Sequence, residues 1–334
     1  MAGEQGDYDL QIDRLVEEIR KRGARLVGFQ MPDGLKRYVP SIKERIEADT
    51  HAIPVFSTEP CFGACDIANS LADLGCDLIV HMGHARMLKD GRTPVIYLPC
   101  FSGLSAREAL ESAIGSIPVR RVGLVSTVQH ANELPALSRL LSDQGFEVHI
   151  GGPGPRTEHP GQVLGCNFKA AKDVAARVDA FIYIGGGDFH PLGVALATGK
   201  EVYVVDPFAG ETRKISPLRK TTLGKRFARI EAARGAKSYG LLVSTKPGQR
   251  RMREAIRFRE VLASEGIGSA ILTADQLDPL RLRLYPFDAY VNFGCPRMAI
   301  EDSELFHKPV LTPPELEIVL GKRTWEEYAP DEIT

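Results

Sequence analysis

The sequence predicts an α/β protein of three related Rossmann-like parallel-sheet domains, in a pseudo-threefold arrangement around a central cluster of cysteines. Short β-rich runs alternate with amphipathic helical stretches along the whole chain. The order recurs about every hundred residues, so that "GLVSTVQHANEL" (123–134) returns as "GLLVSTKPGQRRM" (240–252). Each copy also carries one cysteine in a glycine-flanked loop after a strand, at Cys61, Cys166 and Cys295.

In the first copy, residues 10–23 place Ile12, Leu15, Val16 and Ile19 on one helical face and stop at Gly23. A strand at 25–31, a loop at 32–35, a helix at 36–49 and a strand at 52–57 follow. Beyond the cysteine loop, a helix at 67–75 leads to strands at 77–83 and 94–100. The second copy reads as a strand at 121–128, a helix at 131–145, a strand at 147–152, the loop "PGQVLGCNF", a further helix and a strand at 180–187. The third reads as a strand at 239–245, a helix at 248–266, a strand at 268–274 and the closing "AYVNFGCPRM". The domains are expected at 1–116, 117–231 and 232–334.

Bulk chemistry narrows the function classes. The chain has 334 residues, with 42 basic against 43 acidic side chains and a net charge of −1, which gives no pull toward nucleic acid or membrane. Its N-terminal "MAGEQGDYDL" is too polar for a signal peptide, and no apolar run reaches the roughly 18 residues of a membrane helix. A cytoplasmic protein is expected. Six cysteines in that compartment are thiols rather than disulfides.

In parallel α/β units the loops at the carboxyl ends of the strands carry function. Cys61, Cys166 and Cys295 stand in such loops, one per copy, so three inward-facing domains bring them together. Cys76 and Cys100 read as packing residues, and Cys65 as a spare thiol or a helix-start residue. Three soft thiolates select an iron–sulfur cluster or zinc. On a 4Fe-4S cubane they leave one iron open. A three-thiolate zinc is the weaker reading, because no acidic base of the HxE type stands beside the cysteines.

The segments "EPCFGACD", "LGCN" and "FGCPRMAIED" together resemble the radical-type archaeal diphthamide synthases, over nearly the whole chain. The resemblance implies a 4Fe-4S cluster on Cys61, Cys166 and Cys295, with S-adenosylmethionine on the open iron. It also implies a homodimer, an external electron donor, and transfer of a 3-amino-3-carboxypropyl group to a histidine of translation elongation factor 2. The CxxxCxxC loop of ordinary radical enzymes is absent, since Ala68 occupies its third position. Quinolinate synthase, with three α/β domains and an open iron, and a passive cluster-bearing subunit are the alternatives.

Orienting residues are expected in the other strand-end loops. "IGGGDFHP" offers Gly185, Gly186 and Gly187 for close backbone approach and Asp188 as an acceptor, without dinucleotide-fingerprint spacing. "HMGHARM" offers His84 and Arg86, Arg297 suits a carboxylate, and Ser244, Lys246 and Gln249 precede a helix N-terminus. Helix 248–266 carries five arginines, with Arg250 and Glu254 spaced to pair, and reads as a solvated face or a docking face for an acidic partner. The tail after residue 311 reads as a final helix and a frayed end.

Overall fold

The computed structural model describes residues 8–88, 91 and 93–333; the polar stretch up to residue 7 lies outside them. Its strands, in chain order, are β1 (Tyr8–Asp9), β2 (Leu26–Gln30), β3 (Ile53–Phe56), β4 (Leu78–Met82), β5 (Val95–Leu98), β6 (Phe101–Ser102), β7 (Arg121–Ser126), β8 (Glu147–His149), β9 (Ala180–Ile184), β10 (Glu201–Asp206), β11 (Glu211–Lys214), β12 (Ser238–Ser244), β13 (Gly268–Ala274), β14 (Ala289–Asn292) and β15 (Val310–Leu311).

Three sheets share one plan. The first runs β3-β2-β4-β5, the second β11-β10-β9-β7-β8 and the third β13-β12-β14-β15. Counted within each unit, all three place the strands 2-1-3-4, and every pair is parallel except the added antiparallel β10–β11 edge. The repeat in the sequence is therefore a repeat of topology. A glycine marks the same place in the first strand of each unit: a Cβ on Gly28, Gly123 or Gly240 would meet Leu71 at 3.0 Å, Phe181 at 2.3 Å or Tyr290 at 2.6 Å. For Gly123 and Gly240 the intruding ring belongs to the registered residue of the neighbouring strand, which lies over the missing side chain.

Helices cover the sheets as the periodicity requires. Ile12–Arg22 buries Leu15, Val16 and Ile19, and Gly23 ends it with a left-handed φ of 61°. The expected loop at 32–35 is instead the start of a 3-10 helix, Asp33–Tyr38. The sequence reading also lacks β10, β11 and the helices Phe189–Thr198 and Ser216–Ala233, which complete the second unit. Glu254 pairs with Arg251 at 2.7 Å rather than with Arg250, whose guanidinium donates to the Thr245 carbonyl. Among the described residues no helix is long and apolar enough to cross a membrane.

The long helix Ser216–Ala233 ties the second sheet to the third through a buried ion pair. Arg226 donates from Nε and a terminal nitrogen to Glu315 at 2.7 and 2.5 Å, and also to the carbonyls of Ala299 and Val310. Glu315 is at once the third residue of a capping box, accepting from Thr312 N at 2.8 Å at the start of helix Pro313–Val319. Neither side chain is exposed beyond 1%. A buried pair of this kind is costly to break on one side only, because the remaining charge has no water. Glu315→Ala is expected to lower stability by about 3–5 kcal/mol, read as a shift in the urea unfolding midpoint.

Candidate functional site

The loops at the carboxyl ends of the three sheets meet one another. Residues 57–68 leave β3 and carry Cys61 and Cys65, and they contact the first strand-end loop of the third unit. Lys246 Nζ donates to Asp66 at 2.5 Å with both side chains largely buried. Gly248 N donates to the Cys65 carbonyl at 2.8 Å, and a Cβ on Gly248 would lie 2.5 Å from Cys65 Cα. Arg156, from the second unit, donates to the Gly248 carbonyl at 2.9 Å. Gln249 Nε2 donates to Cys65 Sγ at 3.3 Å. Three chain segments thus close on Cys65.

Cys166 sits in a tight turn whose ends, Leu164 and Asn167, exchange backbone hydrogen bonds at 3.0 and 3.2 Å. Gly165 in that turn has no room for a Cβ, which would come within 1.9 Å of the Phe189 ring. The tail holds the turn from outside: Ile333 N donates to the Cys166 carbonyl at 2.8 Å, and Phe168 N donates to Glu332 at 3.0 Å. Arg251 clamps Asp331 with two bonds, at 2.5 and 3.0 Å. The expected frayed end is therefore wrong for residues 331–333, which are ordered by partners far away in sequence. Cys295 follows β14, where Asn292 donates to the Cys295 carbonyl at 2.7 Å and accepts from Gly294 N at 2.9 Å.

Electrostatics show which thiols share a centre. Burial pushes Cys166 up to about 11 and Cys295 up to about 12, and it raises Cys65 as well. A Cys65 thiolate acts on both Cys166 and Cys295, and Cys166 acts on Cys295. Cys61, also pushed up to about 12 by burial, acts with Cys65 but lies with its sulfur 3.8 Å from His81 Nε2. Cys65 thus interacts with Cys166 and Cys295, whereas Cys61 interacts with Cys65 and His81. Cys76 is buried elsewhere as a packing residue, and Cys100 is buried in the core cluster of the first unit, at the edge of the cleft between the first and second units.

Positive groups gather at the three thiols. Arg156 lowers the cost of ionising Cys65 and Cys166, and Arg297 does so for Cys295. Arg156 Nε is buried without a hydrogen-bond partner, a donor left for an acceptor that the protein does not supply. Three converging soft sulfurs, rather than four, with spare cationic donors fit a cluster that keeps one iron free of protein ligands.

A cleft of about 420 Å³ opens between the first and second units, walled by His84, Cys100, Tyr183, Gly185, Gly186 and His190, and Arg297 links it to the thiols by acting on both His190 and Cys295. Burial pushes His84 and His190 down to about 4, so both are neutral imidazoles near pH 7. The expected Gly186 lines this cleft, and Gly185 adopts a φ of 136° there. Asp188 does not: its carboxylate is engaged by Arg213 at 2.8 Å, half exposed. Arg297 pairs with Glu301 at 2.5 Å, with its guanidinium about 6 Å from the rings of Phe62 and Phe189. Gln249 turns to Cys65, Lys246 to Asp66, and Arg86 bonds through its backbone to Glu158. His81, Gln30, Asp66 and Arg156 belong to the site without having been singled out in the sequence; His81, three residues before His84, stood in the motif "HMGHARM".

Comparison with known proteins gives one family over nearly the whole chain. The sequence model of the diphthamide synthesis protein family matches residues 31–330. The chain is 39% identical over 330 residues to the 2-(3-amino-3-carboxypropyl)histidine synthase of Pyrococcus horikoshii, covering 98% of this chain and 94% of that protein. It is 30% identical to subunit 1 of the Gallus gallus synthase, over 97% of this chain and 80% of that one. In three dimensions it is similar to crystalline Dph2 from Pyrococcus horikoshii with a 4Fe-4S cluster, at a TM-score of 0.90 and 37% identity, over 97% of this chain and 94% of the other.

The raised thiols have a direct consequence in the metal-free protein. Cys166, moved from an ordinary value near 9.0 to about 11, holds about 100-fold less thiolate at pH 8 than an unshifted thiol. Its alkylation by iodoacetamide, followed by peptide mass mapping, is expected to be slower by that factor than in urea, and to quicken as pH rises toward 11.

Proposed function

The chain belongs to the diphthamide synthesis protein family, and on that premise we propose that it is a 2-(3-amino-3-carboxypropyl)histidine synthase. It carries out the first step of diphthamide formation, moving the 3-amino-3-carboxypropyl group of S-adenosylmethionine to a histidine of translation elongation factor 2 and releasing methylthioadenosine. The observation that carries this reading is the convergence of Cys65, Cys166 and Cys295 from three separate sheets, with Arg297 acting both on Cys295 and on His190 of a cleft large enough for a small molecule.

Cys65, Cys166 and Cys295 are the residues that hold the 4Fe-4S cluster, a revision of the sequence-based set in which Cys61 took the place of Cys65. When bound, the cluster supplies one electron to the sulfonium of S-adenosylmethionine. The chain's own groups do the rest. Arg156 and Arg297 set positive charge beside the thiolates in a buried setting, where such charges act more strongly than in water. Gln249 orients the Cys65 sulfur by its amide hydrogen bond. Gly186 supplies main chain at the cleft wall, where a nucleoside can approach closely, and Arg297 suits the substrate carboxylate. The cleft fixes which carbon faces the breaking bond, so that Cγ–S rather than the adenosyl bond is cut.

On this reading the chain works with an external one-electron donor in the cytoplasm, beside the translation machinery, and as the homodimer that the family resemblance implies.

The test is product analysis with cysteine variants. Protein reconstituted anaerobically with iron and sulfide is expected to convert S-adenosylmethionine to methylthioadenosine only when dithionite is present, as read by chromatography and mass. Cys65→Ala, Cys166→Ala and Cys295→Ala are expected to lose bound iron and product, while Cys61→Ala and Cys76→Ala retain the iron. 5′-Deoxyadenosine as the product, or a full cluster in Cys65→Ala, would sink this assignment.

A further inference from the structure

Hydrogen-bond direction at the inner wall of the cleft can be settled without seeing a hydrogen. The side-chain oxygen of Gln30 accepts from Ala68 N at 2.9 Å, and since a backbone N–H can only donate, that atom is the oxygen and not the amide nitrogen. The same oxygen lies 3.1 Å from His81 Nδ1, so Nδ1 carries a proton and donates. His81 is fully buried and held well below the usual imidazole range by burial, so it is neutral and its Nε2 has only a lone pair. His84 Nδ1 lies 3.1 Å from that Nε2 and must therefore be the protonated nitrogen of its ring. Cys61, a neutral thiol at 3.8 Å, is the longer and weaker donor to the same His81 Nε2 lone pair, which the His84 Nδ1 at 3.1 Å approaches more closely. The chain runs one way, and it leaves His84 Nε2 as a lone pair on a residue that walls the cleft.

We propose that His84 is the catalytic base for the transfer, its Nε2 taking the proton from C2 of the target imidazole, with His81 and Gln30 as positioning residues that fix its tautomer. This rests on the synthase reading above. The balance of the reaction requires such a base. The Cγ–S bond of S-adenosylmethionine breaks, a C–C bond forms at imidazole C2, and the C2–H bond breaks. The electron that opens the sulfonium returns from the ring to the iron–sulfur centre that gave it, so the transfer is redox-neutral and one proton is left over. Three histidines, His84, His130 and His190, line the cleft; His130 is tied through Nδ1 to Glu133 at 3.0 Å, whereas His84 is the one whose tautomer the Gln30–His81 chain sets, and His190 adds no competing charge.

Methylthioadenosine release needs no proton acceptor, whereas completed transfer does, so the two readouts separate the roles. In His84→Gln the cluster absorbance and methylthioadenosine yield are expected to stay within about twofold of the parent, while modified histidine on elongation factor 2 falls about 100-fold. Gln30→Met, which removes the acceptor that orders the chain without altering the cleft wall, is expected to uncouple the two products in the same sense, and His149→Gln, which lies away from the cleft paired with Glu147, leaves their ratio unchanged. Unaltered coupling in His84→Gln, or loss of methylthioadenosine with the cluster intact, overturns the proposal. So does zinc retained at one per chain in iron-free protein and lost in His84→Gln, because the donors of Cys61, His81 and His84 lie within 4.8 Å of one another and a bound ion there takes the lone pairs. Parent protein that makes no methylthioadenosine overturns the synthase reading itself, and this one with it.

Discussion

Gly248 has no room for a side chain because Cys65 Cα lies 2.5 Å from where its first carbon would be. That approach lets main chain meet main chain, with Gly248 N on the Cys65 carbonyl and Arg156 on the Gly248 carbonyl. One glycine thus joins three units, each contributing a backbone or side-chain group to the same few atoms. Backbone contacts hold position better than long flexible side chains do. The sulfur of Cys65 is located by the folding of three sheets, rather than by a rotamer that could relax.

The charge balance of the centre follows from that burial. Removing a thiol from water favours its neutral form, which is why Cys61, Cys166 and Cys295 all rise well above the ordinary range. The arginines and Lys246 offset part of this but do not reverse it. The protein alone therefore holds protonated thiols, and soft-metal binding displaces protons as it displaces water. Asp66 is the counterweight: its carboxylate is raised by burial, its bond to Lys246 opposes that shift, and it keeps the lysine from facing the thiols alone.

Much of the fold was legible because a parallel sheet buries both faces and writes itself as apolar runs. The strand 268–274 was read to the residue, and the repeat of "GLVST" on "GLLVST" is one of shared 2-1-3-4 strand order. The second unit was read short: β10 is its fourth strand, the counterpart of β5, and the antiparallel edge β11 is an addition to the shared order. The site was legible as loops but not as atoms. Spacing places Cys61 and Cys65 in one loop and cannot say which sulfur faces the other units; the answer lies in Gly248, almost two hundred residues away. "PDEIT" looks polar and loose for the same reason, because its partners are Arg251, Asn167 and the Cys166 carbonyl.

That tail bears on how the molecule comes to be made. Synthesis runs from the N-terminus, so the turn bearing Cys166 emerges while the residues that pin it, 331–333, have yet to be translated. Arg251, Gly248 and Cys295 also come later than two of the three sulfurs. A nascent chain therefore displays Cys65 and Cys166 without the enclosure that makes them a site. The order of the chain completes the enclosure of these thiols only once residues 331–333 have been made.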